Sequence, residues 1–131
     1  MRIRELREHV LRLLFSMEFH EAAEFDEQAA LYTGALVEPT EKEVAYIHDK
    51  CAQIFEKRDW LDEKINAVAT GWKTDRMSKT DLILIRIALY EMIEDDEVPT
   101  GVAINEAVEL AKRYGSDDSA RFVNGVLAKL A

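Results

Sequence analysis

The sequence is poor in the residues that break, bridge or anchor a chain. Two prolines and five glycines among 131 residues leave few positions at which a regular element must stop. Its one cysteine, Cys51, admits no internal disulfide. The spacing from Ile47, Ile54 and Phe55 puts that thiol on an apolar helix face, as a reduced core group rather than a nucleophile. No apolar run approaches the ~18 residues of a membrane span. The early arginines sit inside an amphipathic pattern, without the continuous apolar core and cleavage site of a secretory signal, so the cytoplasm is the expected location. A Gly-rich phosphate loop and a serine elbow are also missing, which removes two common catalytic frameworks.

What is present suits one folded domain over residues 1–131. Hydrophobic residues make up 48% of the chain and charged ones 33%, enough to bury a substantial core and solvate its outside. The net charge of −9 argues against indiscriminate nucleic-acid binding, yet it is unevenly spread. Residues 1–17 carry +2, residues 109–131 carry +1, and the interval 18–108 carries −12. If the two ends of the chain meet, they form a mildly basic site on an acidic body.

Apolar spacing of period 3.6 dominates, and no alternating strand pattern competes with it. Ile3, Leu6, Val10, Leu13, Leu14 and Met17 mark a first helix, and a weaker one spans about 25–36. Thr40 and Glu43 form a capping box ahead of a helix whose face is Val44, Ile47, Cys51, Ile54 and Phe55. Asp59 caps the next, with Leu61, Ile65, Val68, Ala69 and Trp72 in phase. Ser78 opens a helix that is apolar nearly all round, from Leu82 to Ile93, and therefore central and buried. Its lone interior cation, Arg86, needs a partner. Thr100 caps a helix with Ile104, Ala107, Val108 and Ala111 inward, which Gly115 ends. Ser116 caps the last helix, with Asp117 and Asp118 in its first turn. The expectation is an all-α fold of about seven helices.

Enzyme and metal constellations are weak. His20-Glu21-Ala22-Ala23-Glu24 has the outline of a zinc-protease helix, but its second histidine is a glutamate, and a solvated helix is the better reading. His9 and His48 have no Cys or His at ligand spacing. The run Glu94-Asp95-Asp96-Glu97 lacks the spaced ligands and glycine of a calcium loop and reads as a connector. No catalytic residue, metal or cofactor is expected. Trp72, in phase with Leu61 and Ile65, reads as core, whereas Trp60 is open between core and base stacking. Arg2, Arg4, Arg7 and Arg12 suit phosphate contacts because guanidinium is permanently charged and bidentate, although the interleaved Glu5 and Glu8 fit a plain charged face as well.

Arg121-Phe122-Val123-Asn124-Gly125-Val126-Leu127 contains the Asn-Gly pair of a hairpin turn, but its flanks keep helical phase through Leu130. On a helical wheel Val123, Val126, Leu127 and Leu130 face inward, while Asp118, Arg121, Gly125 and Lys129 group opposite, with Phe122 beside Gly125. Either Phe122 and Gly125 form a close-approach binding surface, or Phe122 widens the core stripe and Gly125 admits a neighbouring helix. Asn124 falls near the core edge, where an interhelical hydrogen bond is expected.

Several of these segments carry a resemblance. Val98-Pro99, Val102 through Lys112, Asp118-Ser119 and Phe122 through Leu127, with Asp81 through Glu91 (DLILIRIALYE), Arg7-Glu8 and Leu13-Leu14-Phe15, closely resemble the NusB family of bacterial transcription antitermination factors. The resemblance spans nearly the whole chain. It implies an all-helical fold of two packed subdomains and a non-enzymatic function. Such proteins pair with the small-subunit ribosomal protein called NusE and together bind the boxA element of nascent RNA, helping to assemble an antitermination complex on RNA polymerase during ribosomal RNA synthesis. By the same resemblance, Arg2, Arg4, Arg7 and Phe122 are RNA-binding, and Phe15, Asp81 and Asp118 meet the partner. The arginine run is interrupted here by Ile3 and Glu5, which implies a greater dependence on the basic partner, for which an acidic body is complementary. A helical adaptor that binds protein alone is the rival reading. An RNA methyltransferase carrying a domain of this kind is a second rival, for which the chain to Ala131 leaves no catalytic domain.

Overall fold

The computed structural model describes residues 1–131 and contains seven α-helices and no strand: α1 Ile3–Ser16, α2 Phe25–Gly34, α3 Glu41–Glu56, α4 Arg58–Val68, α5 Lys79–Glu94, α6 Thr100–Tyr114 and α7 Ser119–Leu130. They divide into two compact units, Met1–Glu56 and Lys57–Ala131, in keeping with two helical subdomains.

In the first unit α1 packs on α3, and α2 packs on both. Leu6, Val10, Leu13 and Leu14 of α1 and Ile47, Cys51 and Ile54 of α3 are buried, as their spacing demands. Ile3 departs from that stripe: it is 49% exposed, because the helix begins at this residue. The Thr40 box is formed, Thr40 N–H donating to Glu43 Oε1 at 2.9 Å and Glu43 N–H to Thr40 Oγ1 at 3.1 Å. The Cys51 thiol donates to the Val10 carbonyl at 3.6 Å, and burial holds its pKa well above the ordinary thiol value. Ring stacking of Phe25 on Phe55 at 5.4 Å closes the other side of α3. His20 lies between two short 3-10 turns, Met17–Phe19 and Ala22–Glu24, so the solvated helix expected there is instead a folded joint. A capping box between Glu21 and Glu24 explains it.

The second unit is built around α5, where Leu82 to Leu89 are buried on every side except at Arg86. Ser78 Oγ accepts from Asp81 N–H at 3.2 Å and starts the helix as its sequence predicts. α6 and α7 pack on α5 and on each other, and α4 packs on α5 and α7. Arg86 finds its partner in Asp62 of α4, with Nε–Oδ1 at 2.7 Å and Nη2–Oδ2 at 2.6 Å, a bidentate pair. The expected buried face of α6 turns slightly: Ala103, Ala107, Leu110 and Ala111 are inward, and Pro99 rather than Thr100 stands at the N-cap. These small side chains let the helix approach α5 and α7 closely.

Three further helix ends depart from expectation. Lys57, not Asp59, is the N-cap of α4. α4 stops at Val68, so Trp72 is outside it and 51% exposed rather than core. α7 begins at Ser119, so Asp117 and Asp118 precede it, and the Ser116 N–H donates to Ser119 Oγ at 2.9 Å. Gly115 does end α6, though with φ −96°, an ordinary conformation for any residue. A glycine is needed there because a Cβ would lie 2.4 Å from Ser119 Oγ and 2.8 Å from the Ala111 carbonyl. Gly125 is the opposite case: its α-carbon faces open space, so it admits no helix of this chain. Asn124 is likewise exposed and makes no interhelical bond.

Asp62→Ala strands the largely buried Arg86 charge and is expected to cost about 2–4 kcal/mol in urea unfolding, whereas Asp62→Leu with Arg86→Met recovers most of it. Gly125→Ala is expected to stabilise the chain by about 1 kcal/mol, while Gly115→Ala destabilises it by about 1–3 kcal/mol through overpacking.

Candidate functional site

The joint between α4 and α5 is short and fixed at several points. Lys73 Nζ donates to the carbonyls of Asn66 at 2.7 Å and Ala69 at 3.0 Å, satisfying acceptors at the C-terminal end of α4. Asn66 Oδ1 accepts from the buried Thr74 N–H at 2.8 Å, and its Nδ2 donates to Thr74 Oγ1 at 3.1 Å. Between these anchors Gly71 takes φ +84°, a backbone that L side chains rarely adopt. The next residue, Trp72, is turned outward, with the Arg76 guanidinium 5.1 Å from its ring.

Across from this joint lies the start of α7, and the two enclose a cleft of about 210 Å³ lined by Trp72, Arg76, Ser78, Asp81, Asp118 and Phe122, among others. Three residues expected to be functional, Asp81, Asp118 and Phe122, thus meet in one place. Their environments differ. Asp118 is exposed and Phe122 half-buried. Asp81 is only 8% exposed, and its Oδ1 accepts no hydrogen bond. A buried carboxylate oxygen without a donor is costly, and the favourable field at the α5 N-terminus offsets part of that cost. On the other side of Phe122 is a second, basic groove of about 180 Å³, in which Trp72, Arg121, Gly125 and Lys129 take part.

Of the remaining candidates, all but Trp60 belong to the first unit. Arg2 and Arg4 are exposed at the start of α1, where the Met1 ammonium pairs with Glu43 and tethers the terminus. Arg7 is 4% exposed, so its guanidinium is not on the surface as a free phosphate contact requires; it falls on the inward side of α1, one residue from Leu6. Phe15 is 37% exposed and meets Phe19 edge-on at 5.7 Å. Phe19, at 74% exposure, went unnoticed in the sequence because the 3-10 turn that exposes it breaks the phase of α1. Trp60, 39% exposed, has Lys57 and Lys64 at 5.3 and 4.6 Å from its ring, and so is not a core residue.

This arrangement defines a class: an all-α protein whose exposed surface sets aromatic rings between acidic and basic side chains. Residues 4–131 match the NusB family. Transcription antitermination protein NusB of Agathobacter rectalis is 52% identical over 127 residues, covering 97% of both chains. The protein of that name from Lachnoclostridium phytofermentans is 48% identical, over 97% of this chain and 96% of its own. A solved structure of T. maritima NusB superposes with a TM-score of 0.87 at 30% identity, covering all of this chain and 91% of the other. The chain belongs to the NusB family, and the Agathobacter and Lachnoclostridium members are transcription antitermination proteins.

Because Phe122 is half-buried, Phe122→Ala is expected to cost about 1–2 kcal/mol, against the 3–5 kcal/mol typical of a core phenylalanine. Thermal unfolding of the variant checks this, and a core-sized loss would remove the ring from the interaction surface.

Proposed function

We propose that the chain acts in antitermination by binding boxA-type single-stranded RNA jointly with the NusE-type small-subunit ribosomal protein. In doing so it helps assemble an antitermination complex on RNA polymerase, notably during ribosomal RNA synthesis. Family membership supports the antitermination role, and the observation that carries the rest is the meeting of Asp81, Asp118 and Phe122 in one cleft. The resemblance assigns these residues to RNA and partner from separate segments of the sequence, and their common location suits a composite surface.

In this reading the exposed guanidinium groups of Arg2 and Arg4 hold phosphates, which position the strand without reading it. Arg7, being buried, fixes the helix that bears them. The Phe122 ring stacks on an unpaired base. Phe15, with Phe19, offers the ribosomal partner an aromatic contact, and the carboxylates of Asp81 and Asp118 offer it acceptors. A body of net charge −9 draws in a basic partner and discourages RNA from binding elsewhere. No residue is assigned a catalytic role.

The test is titration of boxA-type RNA with and without the partner across a salt series. Binding is expected to be much tighter with the partner, and to weaken with salt by about 0.7 log units of affinity per log unit of salt for each phosphate held. Replacing Arg2 and Arg4 by Gln is expected to reduce that slope by about 1.4. Absent or salt-independent RNA binding in the presence of the partner supports instead an adaptor that binds protein alone.

A further inference from the structure

Two features of the second unit are not used by the function as stated: the outward-turned Trp72 and the basic groove beside it. The groove lies between the Ala69–Trp72 segment and the outer face of α7 and is lined by Thr70, Trp72, Arg121, Phe122, Gly125 and Lys129 among others. Trp72 and Phe122 also line the cleft that holds Asp81 and Asp118. The two rings therefore stand between the cleft, which holds Asp81, Asp118 and Arg76, and the groove, which holds Arg121 and Lys129.

Each part is suited to a nucleotide. Flat rings accept any base by stacking. Arg121 and Lys129 are both exposed, and Lys129 Nζ donates to Thr70 Oγ1 at 3.2 Å, which brings an ammonium and a hydroxyl together at the groove wall. Gly125 leaves its part of the groove unfilled, since nothing lies within 4 Å of where a Cβ would stand. The groove is held ready, because Lys73, Asn66 and Thr74 fix the backbone on both sides of Trp72. At about 180 Å³ it is well below the ~300 Å³ at which whole-ligand pockets begin, so it takes one base and not a larger ligand. Charge favours the groove for a phosphate: Arg121 and Lys129 stand there without a carboxylate, whereas in the cleft Arg76 is accompanied by Asp81 and Asp118.

We propose that this groove is a second nucleotide subsite, in which Trp72 and Phe122 stack a base of single-stranded RNA while Arg121 and Lys129 hold its adjoining phosphate. The proposal rests on the RNA-binding function proposed above and adds Trp72, Thr70, Arg121 and Lys129 to the residues that carry it.

The experiment uses the full chain with its ribosomal partner and a boxA-type RNA oligonucleotide, in a Trp60→Phe background so that Trp72 is the sole tryptophan. RNA is expected to quench Trp72 fluorescence. Trp72→Ala is expected to weaken RNA binding about 5- to 100-fold without changing the salt slope, and Trp72→Phe to restore most of the affinity. Lys129→Gln and Arg121→Gln together are expected to lower the slope by about 0.7, the share of the one phosphate they hold. Gly125→Leu, which fills the groove, is expected to act like Trp72→Ala while its melting temperature is kept. Intact RNA affinity in Trp72→Ala and Gly125→Leu, with no quenching, overturns the subsite and leaves the function proposed above standing. Loss of partner binding in these variants, with RNA contact unchanged, assigns the groove to a protein and equally overturns the subsite. If the unaltered complex binds no RNA at low salt, both proposals fall.

Discussion

The second unit depends on how α5 is satisfied. A helix apolar around most of its circumference has to be enclosed, and enclosing it forces Arg86 out of water along with its neighbours. The bidentate Asp62 carboxylate resolves this and at the same time fixes α4 against α5 at a defined height and rotation. α6 can come close because it presents alanines, and α7 closes the remaining side. Once these helices are fixed, the position of the α4–α5 joint opposite the start of α7 follows. The cleft and groove are therefore set by a core ion pair that lines neither of them.

Helix existence was legible in the sequence because burial alone sets the 3.6 period, and because capping residues mark the starts. Thr40 with Glu43, and Ser78 with the Asp81 amide, are formed as read. Helix ends were less legible. Trp72 continues the phase of Leu61 and Ile65, but phase does not show where a helix stops. Here the stop comes from Gly71 and from Lys73, whose ammonium reaches back to the carbonyls of Ala69 and Asn66 at the end of the helix. The consequence was large for the site, since the residue expected in the core became its most prominent aromatic. Arg7 went the other way, because a guanidinium in a run of arginines looks exposed until its helix is rotated into place.

Glycine shows the same limit in finer form. Gly115 and Gly125 look alike as punctuation in a helical sequence, yet one is required by a serine hydroxyl 2.4 Å from its missing side chain and the other faces solvent. A residue retained at a cost to helix stability, with no neighbour in its own chain to justify it, directs attention to what lies outside the chain. Its place beside Phe122, Arg121 and Lys129 was recoverable from the helical wheel. Its place beside Trp72 was not, because the wheel carries no information about a joint some fifty residues away in sequence.

The distribution of natural probes between the two units has a practical meaning. The chain has one thiol, Cys51, sealed in the first unit, and two tryptophans, Trp60 and Trp72, partly exposed in the second. Thiol labelling therefore reports only on opening of residues 1–56, and indole emission only on residues 57–131. Comparing the two in one unfolding experiment measures the cooperativity between the halves of the protein without any introduced label.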